Sequence, residues 1–260
     1  MFFLLRSALA CFTRIPVGHL PDCAFAQAMR RLPMVGLVVG FLVAVAMFCA
    51  HHFWPDYLVA LCGLVVWVAV TGAIHLDGVA DCGDGLFMQA SLERRLEVMK
   101  DPRLGAFGAI TLMLMIGTKW AALYALCQIS VEKSLSLQSY ASFLHMASPI
   151  IFAAILGRSL TFIFMHVPSA RPHGMGNSMV DAVTIMDKVI AFVLVVSSLI
   201  LISMTYGVWP SMLMLVGGLS FSVCIMVKVM KTLGGVTGDV YGLIIEGTEC
   251  GVLLAAAIII

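Results

Sequence analysis

Seven long apolar runs constrain this chain more than anything else in it, at roughly 34–51, 57–75, 105–127, 141–165, 189–206, 211–228 and 241–260. A helix needs about 20 mostly apolar residues to cross a hydrocarbon core about 30 Å thick, and each run meets or approaches that length. The runs are continuously apolar and do not alternate, which excludes the strands of a membrane barrel. Charged residues make up 11% of the 260 and mean hydropathy is +1.06, whereas soluble domains carry about 25% charge. The fold expected is therefore all-α: a polytopic membrane helical bundle of about seven transmembrane helices, forming one domain over residues 1–260.

A net charge of +1 excludes a broad basic surface and with it bulk nucleic-acid binding. The eight cysteines are scattered, with no CxxC pair and no zinc spacing, and read as small packing residues. The opening "MFFLLRSALACFTRIPVG" carries Arg6 within its apolar part and lacks a basic leader, so a retained helix at the membrane surface is expected rather than a signal peptide.

Orientation follows from the basic residues. Arg6, Arg14, Arg30 and Arg31 precede the first span. Arg94, Arg95, Lys100 and Arg103 follow the second; Arg171 and Lys188 follow the fourth, with Arg158 at its end; Lys228 and Lys231 follow the sixth. Thirteen of fifteen thus fall on one face, which the positive-inside rule puts in the cytoplasm. Glu93, Glu97, Asp181 and Asp187 read as ordinary loop charges on that face.

The stretch "HLDGVADCGDG" at 75–85 does not read that way. Asp77, Asp81 and Asp84 are spaced four and three apart, which on a helix puts three carboxylates on one face. Like charges so placed repel, and apart from His75 no basic residue intervenes before Arg94. A divalent cation resolves the conflict: hard oxygens suit Mg²⁺ or Mn²⁺, and Mg²⁺ is usually held by one or two carboxylates plus substrate phosphates. Gly78, Gly83 and Gly85 lie among the acids, each costing a helix about 1 kcal/mol. They suggest that something large, such as a phosphate-bearing substrate, approaches the backbone.

Three further stretches share this character. "KDPRLGAFG" offers Lys100, Asp101 and Arg103 before Gly105 and Gly108 at the start of a span, a combination suited to an anion. "ARPHGMGN" offers Arg171, Gly174 and Gly176, and "KTLGGVTGD" offers Lys231, Gly234, Gly235, Thr237, Gly238 and Asp239. The last span also holds Glu246 and Glu249, on one face with Asp239; acids inside a membrane are expensive and usually functional. That face is expected to turn toward the aspartates. Lys119, midway along the third span, either pairs with one of these glutamates or snorkels outward.

"HLDGVADCGDG", "LEVMKDPRLGAFG" and "KTLGGVTGDVYGLIIEGTE", with the shorter "FTRIPV" and "RLPMVG", resemble the bacterial cobalamin synthase family, the adenosylcobinamide-GDP ribazoletransferases, from about residue 10 to 253. The resemblance implies an inner-membrane enzyme that joins adenosylcobinamide-GDP to α-ribazole or its 5′-phosphate, releases GMP and requires Mg²⁺. Asp77, Asp81, Asp84, Asp101, Asp239, Glu246 and Glu249 match acids of the family pattern, whereas Pro172 and His173 stand where that pattern is acidic. A ribose hydroxyl would attack the phosphorus attached to cobinamide, with metal held by Asp77, Asp81 and Asp84. Lys100, Arg103, Arg171 and Lys231 are candidate phosphate clamps; Asp101, Asp239 or His75 could serve as general base. The resemblance also allows homo-oligomers and association with other late corrinoid enzymes, beside contact with lipid.

Other readings make different demands on the residues. A CDP-alcohol phosphotransferase expects an Arg where Asp81 stands, and a prenyl transferase expects a second Asp-rich motif. An ion-coupled transporter expects mid-membrane acids and inverted repeats, whereas most acids here gather at one surface.

Overall fold

A computed structural model describes residues 2–18, 25–133, 140–171 and 181–259. Among them lie eleven helices: α1 (Phe2–Phe12), α2 (Phe25–Met29), α3 (Leu32–Ala50), α4 (Asp56–Thr71), α5 (Ile74–Phe87), α6 (Leu92–Val98), α7 (Ala106–Lys133), α8 (Tyr140–Phe164), α9 (Ile185–Tyr206), α10 (Val208–Leu233) and α11 (Gly238–Ile259). Six of these, α3 and α7 to α11, are long and apolar enough to cross a membrane; α4 and α5 qualify together as a pair bent by 92°. The protein is an all-α polytopic bundle; six of the seven apolar runs each coincide with one of these helices, and the second runs through α4 into the start of α5.

Helices α8 and α11 form the interior, while α9 and α10 turn most of their surface outward. Exposed Phe192, Val193, Met204 and Val216 on that outer surface suit lipid. Lipid supplies no hydrophobic drive between helices, so close backbone packing must hold them together. Gly217 of α10 and Gly251 of α11 show this: a Cβ on either would stand 2.6 Å from the other's carbonyl oxygen.

The elbow between α4 and α5 sets the position of the acidic stretch. Gly72 ends α4 at φ +62°, and Ala73 follows at φ +60°, a left-handed conformation that costs a side-chain-bearing residue about 1–2 kcal/mol. The strap leaving α1 supports the turn: the Arg14 N–H donates to the Val70 carbonyl at 2.7 Å, and Arg14 packs against Gly72. The second apolar run was expected to reach residue 75 without a break. Instead the chain turns at 72–73 and carries the acids off across the bundle.

Two charges, one expected in a loop and one at a span end, lie inside. Asp187 is buried at the start of α9, where it closes a capping box with Thr184 and binds Arg30 at 2.8 Å and Arg31. Arg158 is fully buried in α8. The basic face therefore rests on twelve residues once Arg158 leaves the thirteen counted in the sequence.

Candidate active site

Helix α5 crosses the start of α11 with backbone against backbone. A Cβ on Gly78 would lie 2.6 Å from the Asp239 carbonyl oxygen, and one on Gly242 would lie 2.9 Å from that of His75. Gly83 likewise closes on Gly108 and Thr111 of α7, and Gly85 on Met99. The glycines among the aspartates thus admit the chain's own helices and not a ligand, which corrects the reading of them as substrate-facing.

This crossing brings α11 to the acidic face of α5. Asp77 is exposed and Asp81 half-buried, and Asp81 feels the negative charge of Asp239, Asp77 and Asp84 and the positive charge of Arg171. Arg171 arrives through a short parallel bridge between Ser169 and Val236. In it the Ala170 N–H donates to Val236 O at 3.0 Å and the Val236 N–H to Pro168 O at 2.9 Å. Gly235 fits beneath this bridge, and Gly234, at φ +67°, turns the chain out of α10. Arg171 Nη2 then lies 3.6 Å from Asp239 Oδ2, to which the Thr237 hydroxyl also donates at 3.2 Å. Residues 172–180, with Pro172, His173, Gly174 and Gly176, lie outside the described residues.

Asp84 has a different task. It is buried, and its two oxygens accept the N–H groups of Gly105 and Gly108, both at 2.8 Å. The anion expected at the start of α7 is thus the chain's own carboxylate, favoured by the helix dipole and two unsatisfied donors. Among the described residues no three of His, Cys, Asp and Glu converge as a metal cage.

The remaining candidates on this face are more exposed. Asp101 and Arg103 bind each other through the Arg103 N–H, Nε and Nη2, the last at 2.6 Å. These bonds hold the Asp101 carboxyl well below the usual carboxylate range, which makes it a weak proton acceptor. Lys100 and Lys231 are exposed.

Beside the acids a pocket of about 200 Å³ opens between α1, α2, α5 and α11. Asp77 and Asp239 line it together with His75, Tyr241 and an apolar wall of Phe12, Phe25 and Met29. The wall was not singled out in the sequence. Tyr241 carried a usable signal, standing two positions from Asp239.

Farther along α11, Glu246 and Glu249 do not face the aspartates as expected. Lys119 reaches both at 2.5 Å, Arg158 also binds Glu249, and all four are buried. The Lys119 ammonium lies 4.5 Å from the centre of the Trp67 ring. Two acids and two bases balance one another here, and the pairing of Lys119 settles its alternative of snorkelling.

The family model described as cobalamin-5-phosphate synthase matches residues 4–257. An adenosylcobinamide-GDP ribazoletransferase of Desulfitobacterium hafniense (strain Y51) is 32% identical over 96% of this chain and 94% of its own length. One of Ectopseudomonas mendocina (strain ymp) is 33% identical over 97% and 98%. One of Herpetosiphon aurantiacus is 30% identical over 98% and 96%. No solved structure matches.

Proposed function

The chain belongs to the cobalamin-5-phosphate synthase family, and from that membership and the site's geometry we infer that it is an adenosylcobinamide-GDP ribazoletransferase. It is a transferase of cobalamin biosynthesis acting at nucleotide-loop assembly: adenosylcobinamide-GDP and α-ribazole, or α-ribazole 5′-phosphate, give adenosylcobalamin or its 5′-phosphate and GMP.

The observation that carries the reading is an imbalance of charge. At the mouth formed by α5 and α11, among the described residues, Asp77, Asp81 and Asp239 are set against Arg171 and, on the outer side of Asp77, Arg14, which leaves a surplus of negative charge. Hard oxygen donors with that surplus fit a divalent cation such as Mg²⁺, with Mn²⁺ as a substitute. Asp77 and Asp81, with Asp239 opposite, would hold it, whereas Asp84 steadies α7 beside them. The chemistry such an ion supplies is neutralisation of the diphosphate and stabilisation of the leaving GMP oxygen.

The chain's own groups do the rest. Arg171 offers guanidinium N–H donors to a phosphate, which would loosen its long contact with Asp239. Asp239 and His75 line the pocket from which a ribose hydroxyl would approach, and either could take that hydroxyl's proton. The oxygen would bond to the phosphorus bearing cobinamide, and the bond from that phosphorus to GMP would break. Asp101 is the weakest of the base candidates because Arg103 holds its charge.

The basic face supports a cytoplasmic setting for this mouth, in a bacterial inner membrane. Lipid would cover α9 and α10, and homo-oligomers or contacts with other late corrinoid enzymes would follow from family analogy. Neither the CDP-alcohol phosphotransferase nor the transporter gains support. The test is GMP release by detergent-solubilised protein given adenosylcobinamide-GDP and α-ribazole, with and without Mg²⁺. Mg²⁺-dependent GMP is expected; corrinoid uptake into vesicles without GMP would overturn the reading.

A further inference from the structure

We propose that the pocket between α1, α2, α5 and α11 seats the base of the nucleoside acceptor, with Phe12, Phe25 and Met29 against the ring and His75 and Tyr241 as its polar contacts. The proposal rests on the transferase reading and names where one of its two substrates binds.

Three observations meet here. The pocket is lined mainly by apolar and aromatic side chains, and at about 200 Å³ it has room for a flat bicyclic base but not for a corrin macrocycle. Two polar side chains in its wall, His75 and Tyr241, are each only 5% exposed, and among the described residues neither His75 Nδ1 nor Tyr241 Oη has a hydrogen-bond partner. Buried polar atoms without partners are rare in folded proteins, and a ligand is one means of satisfying them. Third, Asp77 and Asp239 line the same pocket. A nucleoside whose base lay against the apolar wall would therefore carry its ribose toward the carboxylates, where the attacking hydroxyl is needed.

This chemistry selects among the groups the substrates offer. Guanine has several donors and acceptors along its edges, and a wall of Phe and Met would leave most of them unpaired. A benzimidazole joined to ribose through one nitrogen presents an apolar aromatic face and one free in-plane nitrogen, which suits an apolar slot whose wall carries a polar atom to meet it. An aromatic ring also stacks on Phe12 and Phe25, whose own rings meet edge to face at 5.3 Å.

The test measures binding of radiolabelled α-ribazole to the full-length protein in detergent, beside steady-state GMP release. Met29→Trp fills the pocket and should weaken α-ribazole binding at least about tenfold. Tyr241→Phe removes one hydroxyl and should raise the KM for α-ribazole about fivefold. The KM for adenosylcobinamide-GDP should stay within about twofold of wild type in both. Should Met29→Trp fail to fold, Tyr241→Phe carries the test. Unchanged α-ribazole affinity in the folded variants, as for a pocket that holds an acyl chain, overturns the proposal, and so does a KM change confined to adenosylcobinamide-GDP. If wild-type protein binds α-ribazole through this pocket but releases no GMP, the transferase reading fails and the subsite stands. If GMP is released while both variants bind α-ribazole normally, the subsite fails and the transferase stands.

Discussion

Helix α11 carries acids into two settings that differ in every respect except chemistry. Asp239 stands in its first turn; Glu246 and Glu249 follow seven and ten residues later, about 10 and 15 Å along the axis. The deeper pair is closed off, and Lys119 and Arg158 match it charge for charge. At the mouth, among the described residues, Asp239 joins Asp77 and Asp81 with Arg171 and Arg14 too few to match them. A low-dielectric interior cannot carry unmatched charge, since desolvation costs several kcal/mol per ion unless a partner offsets it. A water-accessible mouth can, because solvent or a ligand completes the balance. The difference teaches that an acid in a membrane helix is not by itself a sign of catalysis: the sum of charge around it decides between scaffold and site.

The comparison can be broken most forcefully from the deep side. Glu249→Gln leaves Arg158 and Lys119 under-compensated in the interior and should lower stability by about 3–5 kcal/mol, read as a fall in Tm in detergent. The protein that remains folded should keep its Mg²⁺ requirement. Asp81→Asn should do the reverse, leaving Tm near wild type while GMP release falls by about a hundred- to a thousandfold at saturating Mg²⁺. Near-normal turnover in Asp81→Asn under limiting Mg²⁺ would end the metal assignment. A collapse in Tm would show that the mouth, too, is scaffold.

Asp84 stands between the two settings. Asp84→Asn keeps one acceptor for the start of α7 and loses the other, so a stability loss of about 1–2 kcal/mol is expected, with Mg²⁺-dependent turnover retained. The sequence could not separate Asp84 from Asp77 and Asp81, because helical spacing places all three on one face and says nothing of what that face meets. The spans themselves were legible, since seven continuous apolar runs have no other low-energy solution in a bilayer. The elbow at Gly72–Ala73 was not, because Ala73 adopts a left-handed conformation that only its surroundings enforce. The glycines were visible as a motif, but whether they admit substrate or a neighbouring helix depends on which backbones cross, and that is a property of the assembled bundle. Arg158 was misplaced for the same reason: its position near the end of an apolar run does not reveal Glu249 on another helix.

The smallest expected effect probes how far the mouth extends. Arg103 is a candidate phosphate clamp in sequence, yet in the fold its side chain is 88% exposed and engaged with Asp101. Arg103→Ala frees that carboxyl to regain its ordinary proton affinity. An ordinary aspartate titrates near pH 4, so Asp101 stays ionised at neutral pH in wild type and variant alike. GMP release should therefore change by less than about twofold, with the same pH profile between about pH 6 and 8. If Arg103→Ala instead raised the KM for adenosylcobinamide-GDP about tenfold, Arg103 would have to leave Asp101 for a phosphate in the bound state. The surplus of negative charge that separates mouth from interior would then be balanced partly from the loop between α6 and α7, and the boundary between the two regions would have to be redrawn to include it.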